Sequence, residues 1–113
     1  MAPLTDFYIK QNDTRSPISI ICRDGSGAAI DLTGATVKFI MATAAGTAPN
    51  VDLAGTVASP ATSGVVQYQW ATGNTATAGT YSAEFQVTFA DGTIETFPNT
   101  SYITVHIFPE LGS

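Results

Sequence analysis

Chemistry in this chain would have to come from very few side chains. There is one histidine, His106, and one cysteine, Cys22. A hydrolytic site needs a nucleophile, a base and an orienting acid. His106 alternates onto the outer face of the last strand, between Thr104 and Phe108, which suits a surface or interface histidine better than a general base. Structural zinc needs about four Cys or His ligands; this sequence cannot supply them, and no metal is expected. Cys22 reads as a small buried apolar residue, not a reactive thiol. Gly25-Ser26-Gly27-Ala28-Ala29-Ile30 begins like a dinucleotide fingerprint, but the last glycine is missing and no helix follows. It reads as a turn, and no cofactor is expected. Asp24-Gly25-Ser26-Gly27 lacks the repeated acids of a calcium loop. The remaining route to catalysis is a carboxylate pair, Glu84 and Glu95, near each other across a hairpin at Asp91-Gly92. Both occupy polar strand positions and read as solvated acids. The expectation is a protein that is not an enzyme.

The elements that would carry these residues are strands. Thr, Ala, Gly, Val and Ile are plentiful while Leu, Glu and Lys are few, a balance that favours β structure. Over residues 81–89, apolar Tyr81, Ala83, Phe85, Val87 and Phe89 alternate with polar Ser82, Glu84, Gln86 and Thr88. Such alternation marks a strand with one buried face. Asp91-Gly92 is a hairpin turn, with a returning strand at 93–97 and a last strand at 102–108. Upstream, 6–10 places Phe7 and Ile9 inward, 18–23 places Ile18, Ile20 and Cys22 inward, and 35–41 places Val37, Phe39 and Met41 inward. A weaker strand, 51–57, is interrupted by Gly55, and 65–70 puts Val66, Tyr68 and Trp70 on one face. Residues 42–50 read as a mobile loop, and 71–80 has room for one helical turn. Tyr81 opens its strand after a Gly-containing corner, in the manner of a tyrosine corner. The whole predicts an all-β, immunoglobulin-like, two-sheet antiparallel sandwich of about eight strands. It forms a single domain over 1–113 with a short flexible tail at 109–113.

Charge narrows the partners. The net charge is −5, and Lys10, Arg15, Arg23 and Lys38 are the only fixed cations. Four scattered cations make no phosphate-tracking stripe, so nucleic acid is not expected. An acidic surface is repelled by anionic lipid, and no apolar run is long enough to span a membrane. The N-terminus lacks the basic start and apolar run of a signal peptide, which points to folding in a cytoplasm.

Several blocks resemble the N-terminal domain family of phage baseplate upper proteins. They are Phe7-Tyr8-Ile9-Lys10-Gln11-Asn12-Asp13-Thr14, Asp31-Leu32-Thr33-Gly34-Ala35-Thr36-Val37-Lys38-Phe39, Gly64-Val65-Val66-Gln67-Tyr68-Gln69-Trp70, Ala78-Gly79-Thr80-Tyr81-Ser82-Ala83-Glu84-Phe85 and Asp91-Gly92-Thr93-Ile94-Glu95-Thr96-Phe97-Pro98-Asn99. The resemblance implies an immunoglobulin-like module without catalytic residues, a multi-copy virion component assembled in a host cytoplasm. Its partners would be tail, baseplate or capsid subunits. A tail or baseplate protein is the first expectation and a capsid decoration protein the second. A carbohydrate- or receptor-binding sandwich, with Tyr102 or Trp70 as a ring platform, is the reading from another class. In each case the working part is the surface. Outward apolar positions, the candidate partner interface, are Tyr8, Ile21, Ile40, Phe97, Tyr102 and Phe108, with Val65 beside them. Edge strands offer a second docking route.

Overall fold

Period-two patterning becomes two stacked sheets in the computed structural model, which describes residues 6–43, 50–99 and 101–111. Among them the strands are β1 (Asp6–Lys10), β2 (Ile18–Ile21), β3 (Thr36–Ala42), β4 (Val51–Ala54), β5 (Thr56–Val57), β6 (Val65–Tyr68), β7 (Gly79–Thr88), β8 (Ile94–Phe97) and β9 (Ile103–Phe108). The larger sheet runs β1-β9-β7-β3-β4, with β8 also on β7, and the smaller runs β2-β6-β5. This is the immunoglobulin-like sandwich that the alternation predicts. It is not wholly antiparallel: β1 lies parallel to β9, from Asp6 opposite Thr104 to Lys10 opposite Phe108. Alternation specifies faces but not neighbours or direction, so pairing between the two ends of the chain leaves no trace in it.

The core sits between β3 and β7 of one sheet and β2 and β6 of the other. Phe39 pairs with Phe85, Val37 with Val87 and Met41 with Ala83. Ile18, Val66 and Tyr68 are buried against them from the second sheet. The Phe39 ring stacks on Tyr68 at 4.7 Å, meets Phe85 at 5.0 Å and stands edge-on to Trp70 at 5.5 Å. Each such side chain contributes roughly 1.5–3 kcal/mol through removal from water. Trp70 is therefore a core residue and no platform for a ligand.

The weak strand at 51–57 is two strands in different sheets. β4 pairs with β3 and β5 pairs with β6, so the chain changes sheets at Gly55. A Cβ there would sit 2.9 Å from the Gln67 carbonyl oxygen and 3.3 Å from Val37 Cγ1, which is why the crossing residue has no side chain. A similar economy joins β8 and β9. Residues 79–83 of β7 pair with β9 and 85–88 with β8, so both lie along the same edge of β7.

That register corrects two expectations. Phe97 lies opposite Phe85, and directly opposed residues share a face, so Phe97 is buried in the core and is no interface residue. Glu95 lies opposite Val87, whereas Glu84 lies opposite Ile40. The two acids therefore belong to opposite faces of the sheet and form no pair. Residues 71–78 form turns and no helix, while a short 3-10 helix occurs at Ala61–Ser63. Most of the loop expected at 42–50 (44–49) and the last two residues of the tail lie outside the described residues.

Three turns share one device. Asp31 Oδ1 accepts from the Thr33 N–H and hydroxyl, Asp91 Oδ1 from those of Thr93, and Asp24 Oδ1 from those of Ser26. These hydrogen bonds hold all three carboxyls below the usual carboxylate range. The tyrosine corner is present: the Tyr81 hydroxyl donates to the Thr77 carbonyl at 2.7 Å. Among the described residues no helix is long and apolar enough to cross a membrane.

Candidate interaction site

The parallel pairing of β1 with β9 sets side chains of the two strands side by side on the outer face of the larger sheet. Tyr8 lies opposite His106, and Lys10 opposite Phe108. The rings form a stacked strip. Tyr8 and His106 are 4.7 Å apart and 11° from parallel, Tyr8 and Phe108 6.1 Å and 6°, and His106 and Phe108 6.3 Å and 12°. His106 Nε2 lies 2.8 Å from Asp6 Oδ1. A carboxylate only accepts, so Nε2 carries the donated proton and the imidazole plane is held in line with its neighbours. The outer rings are open to solvent: Tyr8 is 63% exposed and Phe108 46%.

Beside the strip is an open groove of about 560 Å³, bounded by Tyr8, Ile9, Lys10 and Phe108 on one side and by residues 13–16 on the other. The loop forming the second wall is tied down. The Gln11 N–H donates to the Phe108 carbonyl at 2.7 Å, the Asn12 N–H to the Thr75 carbonyl at 3.0 Å, and the Asp13 N–H to the Lys10 carbonyl at 3.1 Å. The fully buried Thr75 hydroxyl donates to the Asp13 carbonyl at 2.9 Å. Gln69 Nε2 donates to the Thr14 carbonyl and, at 3.3 Å, to that of Arg15. Asn12 takes the left-handed φ of 69° that lets the chain reverse directly after β1. The groove is thus largely preformed. It carries Lys10 and Arg15 against Asp13, on a chain of net charge −5.

Of the six surface residues predicted as an interface, the fold brings together Tyr8 and Phe108. Tyr102 is 46% exposed but lines a separate depression of about 290 Å³ with Glu84, Thr96, Pro98, Asn99 and Ser101. Ile40 is half-buried beside Asp52 and Glu84, and Ile21 is half-buried opposite Val65 in the other sheet. Sequence reasoning missed Lys10, Arg15 and the loop wall. Only the parallel pairing and the hydrogen bonds from Gln69 and Thr75 place them beside the rings. Elsewhere, burial pushes the Cys22 thiol up to about 12, with the charge of Glu95 adding to the effect, so it stays protonated and unreactive. Among the described residues no group of three or more His, Cys, Asp or Glu could hold a metal ion.

No family model matches the chain, and no curated protein does. Among solved structures it is similar to CopC from Methylosinus trichosporium OB3b, with a TM-score of 0.55 at 10% identity, over 96% of this chain and 89% of that one. At this identity the likeness shows a shared fold. The phage expectation is overturned: the structural likeness is to CopC and not to a baseplate domain. With it fall the roles in tail, baseplate or capsid and the placement in a virion assembled in a host cytoplasm, because these rested on the resemblance. What the chain shares with CopC is its fold.

Proposed function

We propose that this protein is a non-catalytic binding module whose working surface is the Tyr8–His106–Phe108 strip together with the Lys10 and Arg15 groove. The partner is an extended acidic segment of another protein that also presents a flat or apolar side chain. The observation that supports this reading is a strip of three stacked rings, two of them open to solvent, next to two of the four fixed cations of an acidic chain. Rings held in register lose little conformational freedom on binding, and their coverage supplies apolar burial. The cations supply orientation and encounter rate, and they disfavour basic partners. Lys10 is on a strand and the wall bearing Arg15 is tied to the sheet, so the spacing between rings and charges is preset.

The test is a displayed library of random peptides panned on the full chain, followed by calorimetry on the selected sequences. The expected result is enrichment of aspartate or glutamate around an aromatic residue. Binding should weaken with salt and fall by about tenfold or more in Arg15→Glu and in Tyr8→Ala. No enrichment, or affinities indifferent to both substitutions, would remove this reading.

A further inference from the structure

One depression of the outer face belongs neither to the ring strip nor to the groove. Along one edge of β7 two strands take turns. β8 ends with Phe97 opposite Phe85, and β9 begins with Ile103 opposite Ala83. Glu84 lies between those two pairs, and among the described residues no strand flanks it on that side. Ala83 and Phe85 are buried inward, which turns Glu84 to the outer face. The gap is a depression of about 290 Å³ lined by Glu84, Thr96, Pro98, Asn99, Ser101 and Tyr102.

Its side chains offer acceptors. Asn99 Nδ2 donates to Glu95 Oε2 at 2.8 Å and to the Thr96 carbonyl at 3.0 Å. Both amide protons are thereby used, and what the side chain has left is Oδ1, which only accepts. Glu84 is half-buried and takes part in neither the Lys38–Asp52 pair nor the His106–Asp6 pair. Ionised, it presents two acceptor oxygens, and Thr96 and Ser101 add hydroxyls that accept as readily as they donate. Among the described residues lining the depression none is basic. Lys38, opposite Gln86 on the same outer face, is held by Asp52 at 2.8 Å. Glu95, one hydrogen bond behind Asn99, adds a second negative charge. Tyr102 is 46% exposed, and among the described residues its ring meets no other ring.

We propose that this depression binds a guanidinium group. The planar cation lies on the Tyr102 ring, and its N–H fork meets the Glu84 carboxylate. Asn99 Oδ1 and the two hydroxyls take the remaining donors. An ammonium has three donors and no flat face to stack, so it satisfies fewer of these groups. An anion is repelled by Glu84 and Glu95. The chemistry is the same whether the group arrives on a free guanidine or on an arginine side chain of another protein. The site is separate from the Lys10 and Arg15 groove, and the proposal does not rest on acidic peptides binding there.

The test is an NMR titration of the isotopically labelled full chain with arginine blocked at both ends. Blocked lysine and blocked citrulline, the uncharged isostere of arginine, serve as comparisons. Blocked arginine should shift the amides of Glu84, Thr96, Asn99, Ser101 and Tyr102, and the effect should weaken with salt. Its affinity should exceed that of lysine by about threefold or more, and that of citrulline by about tenfold or more. Glu84→Gln keeps the shape and removes the charge, and should lower arginine affinity by about tenfold or more. Tyr102→Leu keeps apolar bulk without the ring, and should cost about threefold or more. The spectra of both variants also report whether they fold. A short arginine-containing peptide bound more tightly than agmatine identifies a protein partner; agmatine bound equally well or better identifies a free guanidine. The proposal is overturned if those amides do not move, or if the shifts fall on Tyr8 and Phe108 instead. Lysine or citrulline bound as tightly as arginine overturns it too, as does an affinity indifferent to Glu84→Gln. Capture of acidic peptides is measured with different ligands, so either idea can fail alone.

Discussion

Two aromatic groups in this molecule have similar ring spacings and opposite surroundings. In the core, Phe39, Tyr68, Trp70 and Phe85 meet at 4.7 to 5.6 Å and are almost completely buried. On the outer face, Tyr8, His106 and Phe108 meet at 4.7 to 6.3 Å with two rings open to water. Ring spacing is therefore not what distinguishes them, although the outer rings are all stacked while most core pairs are tilted or edge-on. The inner group gains the full transfer term because both sheets close over it. The outer group gains only the mutual contact, and the rest of its apolar area is still available to something else.

Substitutions can break that contrast or sharpen it. Phe39→Ala should produce the largest loss, roughly 3–5 kcal/mol in chemical denaturation, since it removes a fully buried ring and leaves a cavity between the sheets. A loss below about 1 kcal/mol would mean the inner cluster is not the centre of the core. Tyr81→Phe tests a link at the border between the two environments. Its ring is buried, and the hydroxyl serves the Thr77 carbonyl in a corner loop. The expected cost is about 1 kcal/mol with an unchanged denaturant slope. Tyr8→Ala should have the smallest effect on folding, within about 0.5 kcal/mol, because little of the ring is withdrawn from water. The same substitution should abolish most partner affinity. A large stability loss from Tyr8→Ala would make the outer strip a structural element and remove the reason to see it as a binding surface.

The core is largely legible in the residue order. Alternation over 81–89 and 35–41 puts Phe85, Val87, Val37, Phe39 and Met41 inward, and all are buried. Asp91-Gly92 makes its turn because the Asx hydrogen bonds to Thr93 need only three consecutive residues. Sequence pattern misplaces Phe97 because a face can be assigned only relative to a partner, and the partner residue is Phe85. The binding surface is half legible: Tyr8 and Phe108 read as outward, but nothing in 6–10 or 103–108 says that these segments are neighbours. The phage resemblance draws on blocks such as Asp31-Leu32-Thr33-Gly34 and Asp91-Gly92-Thr93, which form the same local turn. Turn chemistry of this kind recurs wherever short strands are joined, so it carries little information about function.

Local rules suffice for what was determined by sequence alone: strands from alternation, turns from Asp and Gly, an inert thiol from an apolar position, and the poverty of catalytic groups from composition. Tertiary structure decided what depends on pairing between distant segments. That includes the parallel contact of β1 with β9, the change of sheet at Gly55, and the meeting of Lys10, Arg15 and three rings at one end of a sheet. The physical reason is that periodicity records which way a side chain points relative to its own backbone. Which other strand lies alongside is settled by closing long loops around a common core, a global balance that no short window of sequence contains.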